Sequence, residues 1–585
     1  MFIKNLFRKK YSDANDFQTP LSRCLNRFDL ILLSISGMIG SGIYVLTGVV
    51  AKEFTGPSII FANLLAGLAC LSGACCYAEF SARIPRGGSS YIYIYESIGE
   101  IFAFLTGFTS ILGGLTALGV SARVWSSYFD ALFNHRFALF IKQRVAHWPN
   151  APAPFASHPD FLALIIVFVL CVALLSGLKN SKWLTNTITV LNVFALSFIG
   201  ISGFILGNPK NYQPFQPFGI EKIFHGSSLL IYSYIGFEMA TIAIEEAKNP
   251  SKSVPQATVV SLILVTLLYS FAGASLTYLI PFTNINKDSA FASAYETSRW
   301  PWASYLISIA IVLSAGGNLL SGAYGTIRII YAMSTDGLLP QILSYVSQGQ
   351  HVPLVATLIA SSVIALFATF LEVKDLIGFA SISALFAYTG VSIGLLIERY
   401  DHQLTYRILL NNENEEEQEE LVEFNDEDER TTSETTTNAF QSDPFLSRTI
   451  RSLCHCYLKP IDTFLPPKSS AIILLIISIC NTCVSSIFLI YFFDHQRIYH
   501  KILLGLCLLI DIALKFLFCL LRAKRQSSNL LFTCPAMPLT PLLNMNIFIY
   551  LMLLQDAHDW FAYVVILIFS LMIYFAYSYR HSKSR

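Results

Sequence analysis

Charge is what this sequence has least of. Of its 585 residues only 13% are Asp, Glu, Lys or Arg, about half the roughly 25% of an ordinary soluble chain. Apolar residues make up 54%, and mean hydropathy is +0.55. That balance excludes a water-soluble globular protein and puts the chain in a bilayer. A net charge of +1, with no basic stripe interleaved with aromatics, leaves no role for a nucleic-acid partner. Histidine is nearly absent from the apolar runs: of 11, only His225 and His500 touch one, each at its start. No His-based acid–base or metal site is therefore expected inside the membrane, no cofactor is implied, and enzyme activity is not expected. "RGGSS" from Arg86 lacks the Gly-Lys-Ser/Thr end of a phosphate-binding loop. No Asn-x-Ser/Thr sequon occurs, since "NPS" at Asn249 has proline in the middle. The 12 cysteines fall in apolar runs or expected cytosolic segments, which argues against a disulfide scaffold. Cys454-His455-Cys456 has no second pair to complete a zinc site.

Long apolar runs are there in quantity. They lie at 28–50, 57–80, 98–122, 161–177, 185–207, 224–243, 257–280, 302–330, 353–371, 376–397, 470–493, 500–522, 539–555 and 559–578, giving about 14 helical spans in an all-α integral membrane protein. The segment before the first span carries Lys4, Arg8, Lys9, Lys10, Arg23 and Arg27. It does not read as a cleaved signal peptide. Placing that basic end in the cytosol also puts Arg83, Lys179, Lys248, Arg522 and the Arg580–Arg585 tail inside, as the positive-inside rule asks. Both termini are then cytoplasmic. Five segments follow: 1–27 as a cytoplasmic N-terminal segment, 28–400 with ten spans, 401–469 as an acidic insert, 470–578 with four spans, and 579–585 as a cytoplasmic tail. The insert contains "NENEEEQEELVEFNDEDER", which is without hydrophobic period and is expected to be disordered. It is read as a solvated linker, with a docking site for a cytosolic partner as the alternative.

Two spans are interrupted by glycine. Span 1 carries "SISGMIGSGIYVLTG" from Ser34, and span 6 carries "YIGFEMA" from Tyr234. Each interior glycine costs a helix about 1 kcal/mol relative to alanine. Paired interruptions in two halves of a chain are the sequence pointer to an inverted-repeat transporter with its site at the bilayer midplane. A helix broken in hydrocarbon survives only where its freed backbone groups line a polar cavity or meet a ligand. The N–H groups around Ser41 and Gly42 would suit a carboxylate. Carbonyls near Met38 and before Gly236 would suit an ammonium. Such a site reads an α-amino acid. Isolated glycines such as Gly73 and Gly200 are instead read as helix-packing positions.

The blocks "LSRCLNRFDL", "GSGIYVLTGVVAKEFTGPSI", "CYAEFSARIPRGGSSYIY", "SARVWSSYFD", "GLKNSKW", "IGFEMATIAIEEAKNPSKSVP", "IRIIYAMSTDGLLP" and "SISALFAYTGVSI" resemble, in order, those of the cationic amino acid transporters of the amino acid–polyamine–organocation superfamily. The likeness runs from about Leu21 to Ser582 with a gap over the acidic insert. The terminal "PAMPLTPLLNMNIFIYLML" and "IYFAYSYRHS" resemble the last spans of the animal-type members. The resemblance implies a five-plus-five inverted-repeat, LeuT-like core with helices 1 and 6 broken. It implies that Gly40, Ser41 and Gly42 hold the substrate carboxylate, and that the carbonyls of Met38, Tyr232 and Ile235 receive the amino group. Phe237 would gate the site. Gly113, Gly114, Glu238, Asn318 and Tyr324 would belong to the side-chain pocket or gate. Glu79, Arg83, Glu245, Glu246, Arg328 and Asp336 would act as cytoplasmic gating charges, with snorkelling surface charge as the plain alternative.

Glu238 is the acid nearest the second break, and a charge at midplane costs at least about 2.5–3.5 kcal/mol. It is expected to bond to backbone across the break in preference to facing a substrate cation. Departures from the family bear on the substrate. Gly113 and Asn192 stand where proton-coupled bacterial relatives carry Glu and Lys, so no proton relay is visible. Gly113-Gly114 would enlarge the pocket, and Tyr324 would be a new pocket wall. The resulting expectation is facilitative uptake of cationic L-amino acids (Arg, Lys, ornithine) driven by membrane potential. The alternatives are a neutral amino acid transporter of the same fold and a non-transporting amino-acid sensor. Plasma membrane is the expected location, with an endolysosomal membrane as the second choice. The implied partners are the amino acid, the lipid bilayer and the cytosolic partner of the acidic insert.

Overall fold

The structure is a computed structural model that describes residues 8–10, 23–133, 136–145, 148, 154–175, 178–286, 289–347, 352–400, 467–492, 498–521 and 532–582. Among the described residues no strand forms. Only isolated bridges occur, such as Leu25 with Ala247. The helices are α1 (Arg27–Met38), α2 (Ser41–Val50), α3 (Ile59–Arg83), α4 (Ser90–Ser97), α5 (Glu100–Leu132), α6 (Arg136–Arg144), α7 (Phe161–Leu175), α8 (Leu178–Leu206), α9 (Ile220–Leu230), α10 (Met239–Ile242), α11 (Pro250–Leu279), α12 (Ala290–Glu296), α13 (Trp302–Thr335), α14 (Leu354–Phe370), α15 (Val373–Tyr400), α16 (Pro467–Phe492), α17 (Ile498–Leu520), α18 (Leu539–Leu553) and α19 (Ala557–Ile573).

Nine helical stretches among the described residues are long and apolar enough to cross a membrane. Phe161–Leu175, Leu354–Phe370 and Leu539–Leu553 are apolar but shorter. This count by continuous length is below the number of apolar runs in the sequence partly because the second half of the first run joins the second run in one stretch, Ser41–Arg83, and the sixth run is split into short helices. The acidic insert lies outside the described residues except for its last few positions, which begin α16.

The chain divides into two compact units, residues 1–394 with 529–585, and residues 395–528. In the smaller unit α16 packs on α17, with the Asn481 amide donating to the Cys507 carbonyl at 3.1 Å. The larger unit holds both broken helices. There α11 lies along α3, and α13 along α5. The late helix α18 also packs on α3, pinned where Ser72 donates to Asn544 at 2.7 Å. Gly73 and Gly200 let helices approach, since a Cβ at either would run into the ring of Phe548 or Phe271.

Local sequence explains how α1 begins and ends. Asn26 and Asp29 form a reciprocal capping box: the Asn26 side chain accepts from the Asp29 N–H at 3.0 Å, and the Asp29 carboxylate from the Asn26 N–H at 2.9 Å. This satisfies donors that a helix start leaves open. Asn186 of α8 donates to the other Asp29 oxygen at 2.9 Å and fixes this end of α1 to its neighbour. The helix stops at Ile39, whose backbone is extended (φ −74°, ψ 90°), and restarts at Ser41. The sixth run breaks in the same manner after a 3-10 turn, Ile231–Tyr234, with Ile235 extended and Gly236 at φ +112°.

Candidate substrate-binding site

The two breaks pass each other backbone to backbone. A Cβ on Gly236 would stand 2.5 Å from the Gly37 carbonyl oxygen, and one on Gly42 would stand 2.6 Å from the Ser233 Cα. The glycines therefore serve close approach as much as the breaks themselves. Between the breaks opens a cavity of about 100 Å³. Its lining includes Met38, Gly40, Ser41, Gly42, Gly113, Gly114, Tyr232, Ile235, Glu238 and Asn318, so most of the site residues named from the sequence meet in one place. Because α2 starts at Ser41, its first N–H groups have no partner within the helix. They lie on the cavity wall.

The carbonyl side of the site is shared with the protein. The Tyr269 hydroxyl donates to the Met38 carbonyl at 2.7 Å and reaches that of Ser233 at 3.2 Å. The Tyr232 carbonyl accepts the Ile235 N–H at 3.3 Å. A carbonyl has two lone pairs, so each retains capacity for a ligand. Asn318 donates to the Gly37 carbonyl at 2.6 Å, and Ser314 to that of Ile39 at 3.1 Å. Together they take up part of what the end of α1 leaves exposed.

Glu238 bonds to the backbone of the second break. Its Oε2 accepts the Gly236 N–H at 3.1 Å and the Tyr388 hydroxyl at 2.9 Å. The carboxylate also lines the cavity, so bonding across the break and facing a ligand are compatible. Among the described residues of the lining, Glu238 is the only one with a formal charge. Phe237 is fully buried behind that wall, its ring centroid 5.5 Å from Tyr77 and 4.8 Å from Tyr388.

Two expectations about the pocket differ from what is found. Tyr324 is not part of the cavity lining. Its hydroxyl donates to Glu246 at 2.7 Å beside the Arg328–Glu246 ion pair at 2.5 Å, because it faces the end of the sixth run instead of the midplane. Gly113 and Gly114 do line the cavity, but the room they release is taken. A Cβ on them would meet the Ser383 Cβ at 2.6 Å and the Thr326 Oγ1 at 2.5 Å, so the glycines admit neighbouring side chains and the pocket is not enlarged.

None of the six charges named from the sequence is in the cavity lining; Arg328 lies within α13, and Glu245 and Glu246 lie in a 3-10 turn, Ile244–Glu246. Besides the Glu246 pair, Glu79 binds Arg83 at 2.5 Å and the Cys534 N–H at 2.8 Å. Glu245 accepts the Gly87 N–H at 2.8 Å. Asp336 receives Lys10 at 2.5 Å and the Tyr91 hydroxyl at 2.8 Å. The Leu25 N–H donates to the Glu246 carbonyl at 2.9 Å, tying the entry to α1 to this cluster. Sequence reasoning did not single out Tyr77, Ser89, Ser90, Ser383 or Tyr388, all of which line the cavity. Tyr77 and Tyr388 lie inside the quoted blocks "CYAEF" and "LFAYTG", and a polar-tipped aromatic in mid-span was the available signal.

Comparison with known proteins supports the same assignment. The family model described as amino acid permease matches residues 25–410, and the model for the permease C-terminus matches 532–582. Cationic amino acid transporter 4 of Mus musculus is 33% identical over 592 aligned residues, covering 100% of this chain and 91% of that protein. Its Homo sapiens counterpart is 32% identical, covering 99% and 91%. The methylthioribose transporter of Bacillus subtilis is 33% identical over 404 residues, covering 68% of this chain and 87% of that protein. With a permease model over most of its apolar core and relatives aligned along its whole length, the chain belongs to the amino acid permease family, in its cationic amino acid transporter branch, and is a multi-pass membrane transporter, not an enzyme.

Proposed function

We propose that this protein is a facilitative transporter of cationic L-amino acids such as arginine, lysine and ornithine. The observation that carries the reading is Glu238, the single formal charge on a cavity that also presents a helix start. Two donors on Oε2 hold its carboxyl group on the cavity wall. A carboxylate there favours a ligand of net positive charge. The N–H groups of Gly40, Ser41 and Gly42 take the α-carboxylate, where a helix dipole contributes up to about 2 kcal/mol in a partly buried setting. The carbonyls of Met38, Tyr232 and Ile235 take the α-ammonium, and the cationic side chain extends toward Glu238. A substrate with one positive charge is drawn in by about 2.3 kcal/mol per 100 mV, close to fifty-fold accumulation without any coupled ion. The relatives' names support the cationic class.

The rest of the reading follows the sequence. About 14 spans form a five-plus-five inverted repeat followed by four more. Residues 28–400 are the transport core, both termini and the 401–469 insert are cytoplasmic, and the protein works in the plasma membrane. Phe237 backs the gate, and the charge clusters at Glu79, Glu245, Glu246 and Asp336 lock the inner face between cycles. The insert is a solvated acidic linker, with a docking site for a cytosolic partner as the alternative. Competition against labelled L-arginine uptake tests the substrate class: lysine and ornithine are expected to displace it and leucine and alanine are not. Equal competition by leucine would overturn the cationic assignment.

A further inference from the structure

A chain of side-chain hydrogen bonds runs behind the carboxylate end of the cavity. Ser41 Oγ lies 3.2 Å from Ser121 Oγ, Ser121 Oγ lies 2.8 Å from Asn318 Oδ1, and Asn318 Nδ2 lies 2.6 Å from the Gly37 carbonyl oxygen. Ser41 and Ser121 are buried, at 3% and 1% exposure. Ser121 sits on α5 and Asn318 on α13, whereas Ser41 and Gly37 belong to the broken first run. The chain thus joins the broken helix to two neighbours.

Its direction follows from the donors available. A carbonyl only accepts, so Asn318 must turn its NH₂ to Gly37 and its oxygen to Ser121. That oxygen also only accepts, so Ser121 does not direct its lone pairs at it across 2.8 Å. The single hydroxyl hydrogen of Ser121 goes to Asn318, or to the Ala117 carbonyl at 3.2 Å. In either case Ser121 has none left for Ser41, and Ser41 is the donor of their bond. The hydroxyl beside the expected carboxylate position therefore has its hydrogen turned away from the cavity.

Building on the amino-acid reading above, we propose that Ser121 and Asn318 are positioning residues that make the substrate's carboxylate a requirement of the cycle. A carboxylate has no hydrogen to offer Ser41. To be bound by that hydroxyl it must take the hydrogen from Ser121. Doing so releases α2 from α5 at the point where the helix breaks. A ligand with the same side chain and amine but no carboxylate leaves the Ser41–Ser121 bond intact.

The test compares binding of L-arginine with that of agmatine, its decarboxylated form, to the purified full-length protein, read as ligand-dependent thermal stabilisation. Leucine and 3-methylbutylamine serve as a second pair. Removing the competing acceptor by Ser121→Ala is expected to raise arginine affinity about threefold to tenfold, the weight of one neutral hydrogen bond, and to leave agmatine unchanged. Ser121→Cys, whose sulfur is a weak acceptor, should act in the same direction if the alanine variant does not fold. Ser121→Thr should keep the wild-type ratio. A ratio that stays constant or falls in the alanine and cysteine variants overturns the proposal, and equal loss of both ligands would mark Ser121 as structural only. If the wild type binds neither amino acid, the functional reading fails and this inference with it. If it prefers leucine, the leucine pair decides the proposal while the cationic assignment falls.

Discussion

Replacing Gly236 by alanine should disable the site through backbone alone. Gly236 holds φ at +112°, a region that residues with a Cβ occupy only under strain. The added Cβ would also stand 2.5 Å from the Gly37 carbonyl oxygen and 2.6 Å from its carbon. Both are main-chain atoms of the opposite break and have no rotamer to escape into. Strain of about 1–3 kcal/mol for the dihedral and about 1–3 kcal/mol for the overlap give roughly 2–6 kcal/mol together. The only relief is to separate the two broken helices, which dismantles the cavity. Arginine uptake per molecule at the membrane should fall below about a tenth of wild type, and the purified protein should melt earlier. Gly316→Ala is the control, because its Cβ would find nothing nearer than Trp125 at 3.9 Å, and both quantities should stay at wild-type values. Full uptake and an unchanged melting temperature in Gly236→Ala would refute the claim that the breaks touch.

Glu238→Gln keeps an acceptor for Gly236 and Tyr388 but removes the charge. The half-saturating concentration of arginine should rise about tenfold or more, the weight of a charged hydrogen bond, and a kinetic titration showing no rise would remove Glu238 from substrate recognition. Glu246 and Arg328 are 3% and 6% exposed, so Glu246→Gln or Arg328→Met alone should each destabilise by about 3–5 kcal/mol and the double variant by less than their sum. Thermal melts of the four proteins read this directly, and strict additivity would contradict it. Lys10 is 28% exposed in its pair with Asp336, so Lys10→Ala should shift stability by no more than about 1 kcal/mol, visible as an unchanged melt.

Much of the site was legible because membrane helices make backbone breaks costly. Glycines at 40, 42 and 236 had to be explained, and the explanation led to the cavity they line. The capping box at Asn26 and Asp29 is equally local, although it was not singled out from the sequence. Less legible was everything that depends on which helices meet. Ser121 looks like any small residue on a long helix until Asn318, nearly 200 residues on, is set beside it. Gly113 and Gly114 read as added space because the sequence does not show Ser383 and Thr326 filling it. Tyr324 was read at the pocket, yet it lies on a different face of α13 from the lining residues Gly322 and Thr326, with Glu246 accepting its hydroxyl and Arg328 over its ring. The backbone exceptions could be read in one dimension, and the side-chain partners needed three.

On the proposed function, the broken helices bind a cationic amino acid that the membrane potential alone drives across. Uptake of labelled L-arginine into proteoliposomes, with and without an imposed negative-inside potential, tests it most directly. Gly42→Leu belongs beside the wild type, since even a Cβ at that position would stand 2.6 Å from the Ser233 Cα. Accumulation is expected to grow with the potential toward about fifty-fold at 100 mV, to be competed by lysine and to be abolished in Gly42→Leu. Arginine flux that ignores the potential, or that survives in Gly42→Leu, would contradict it.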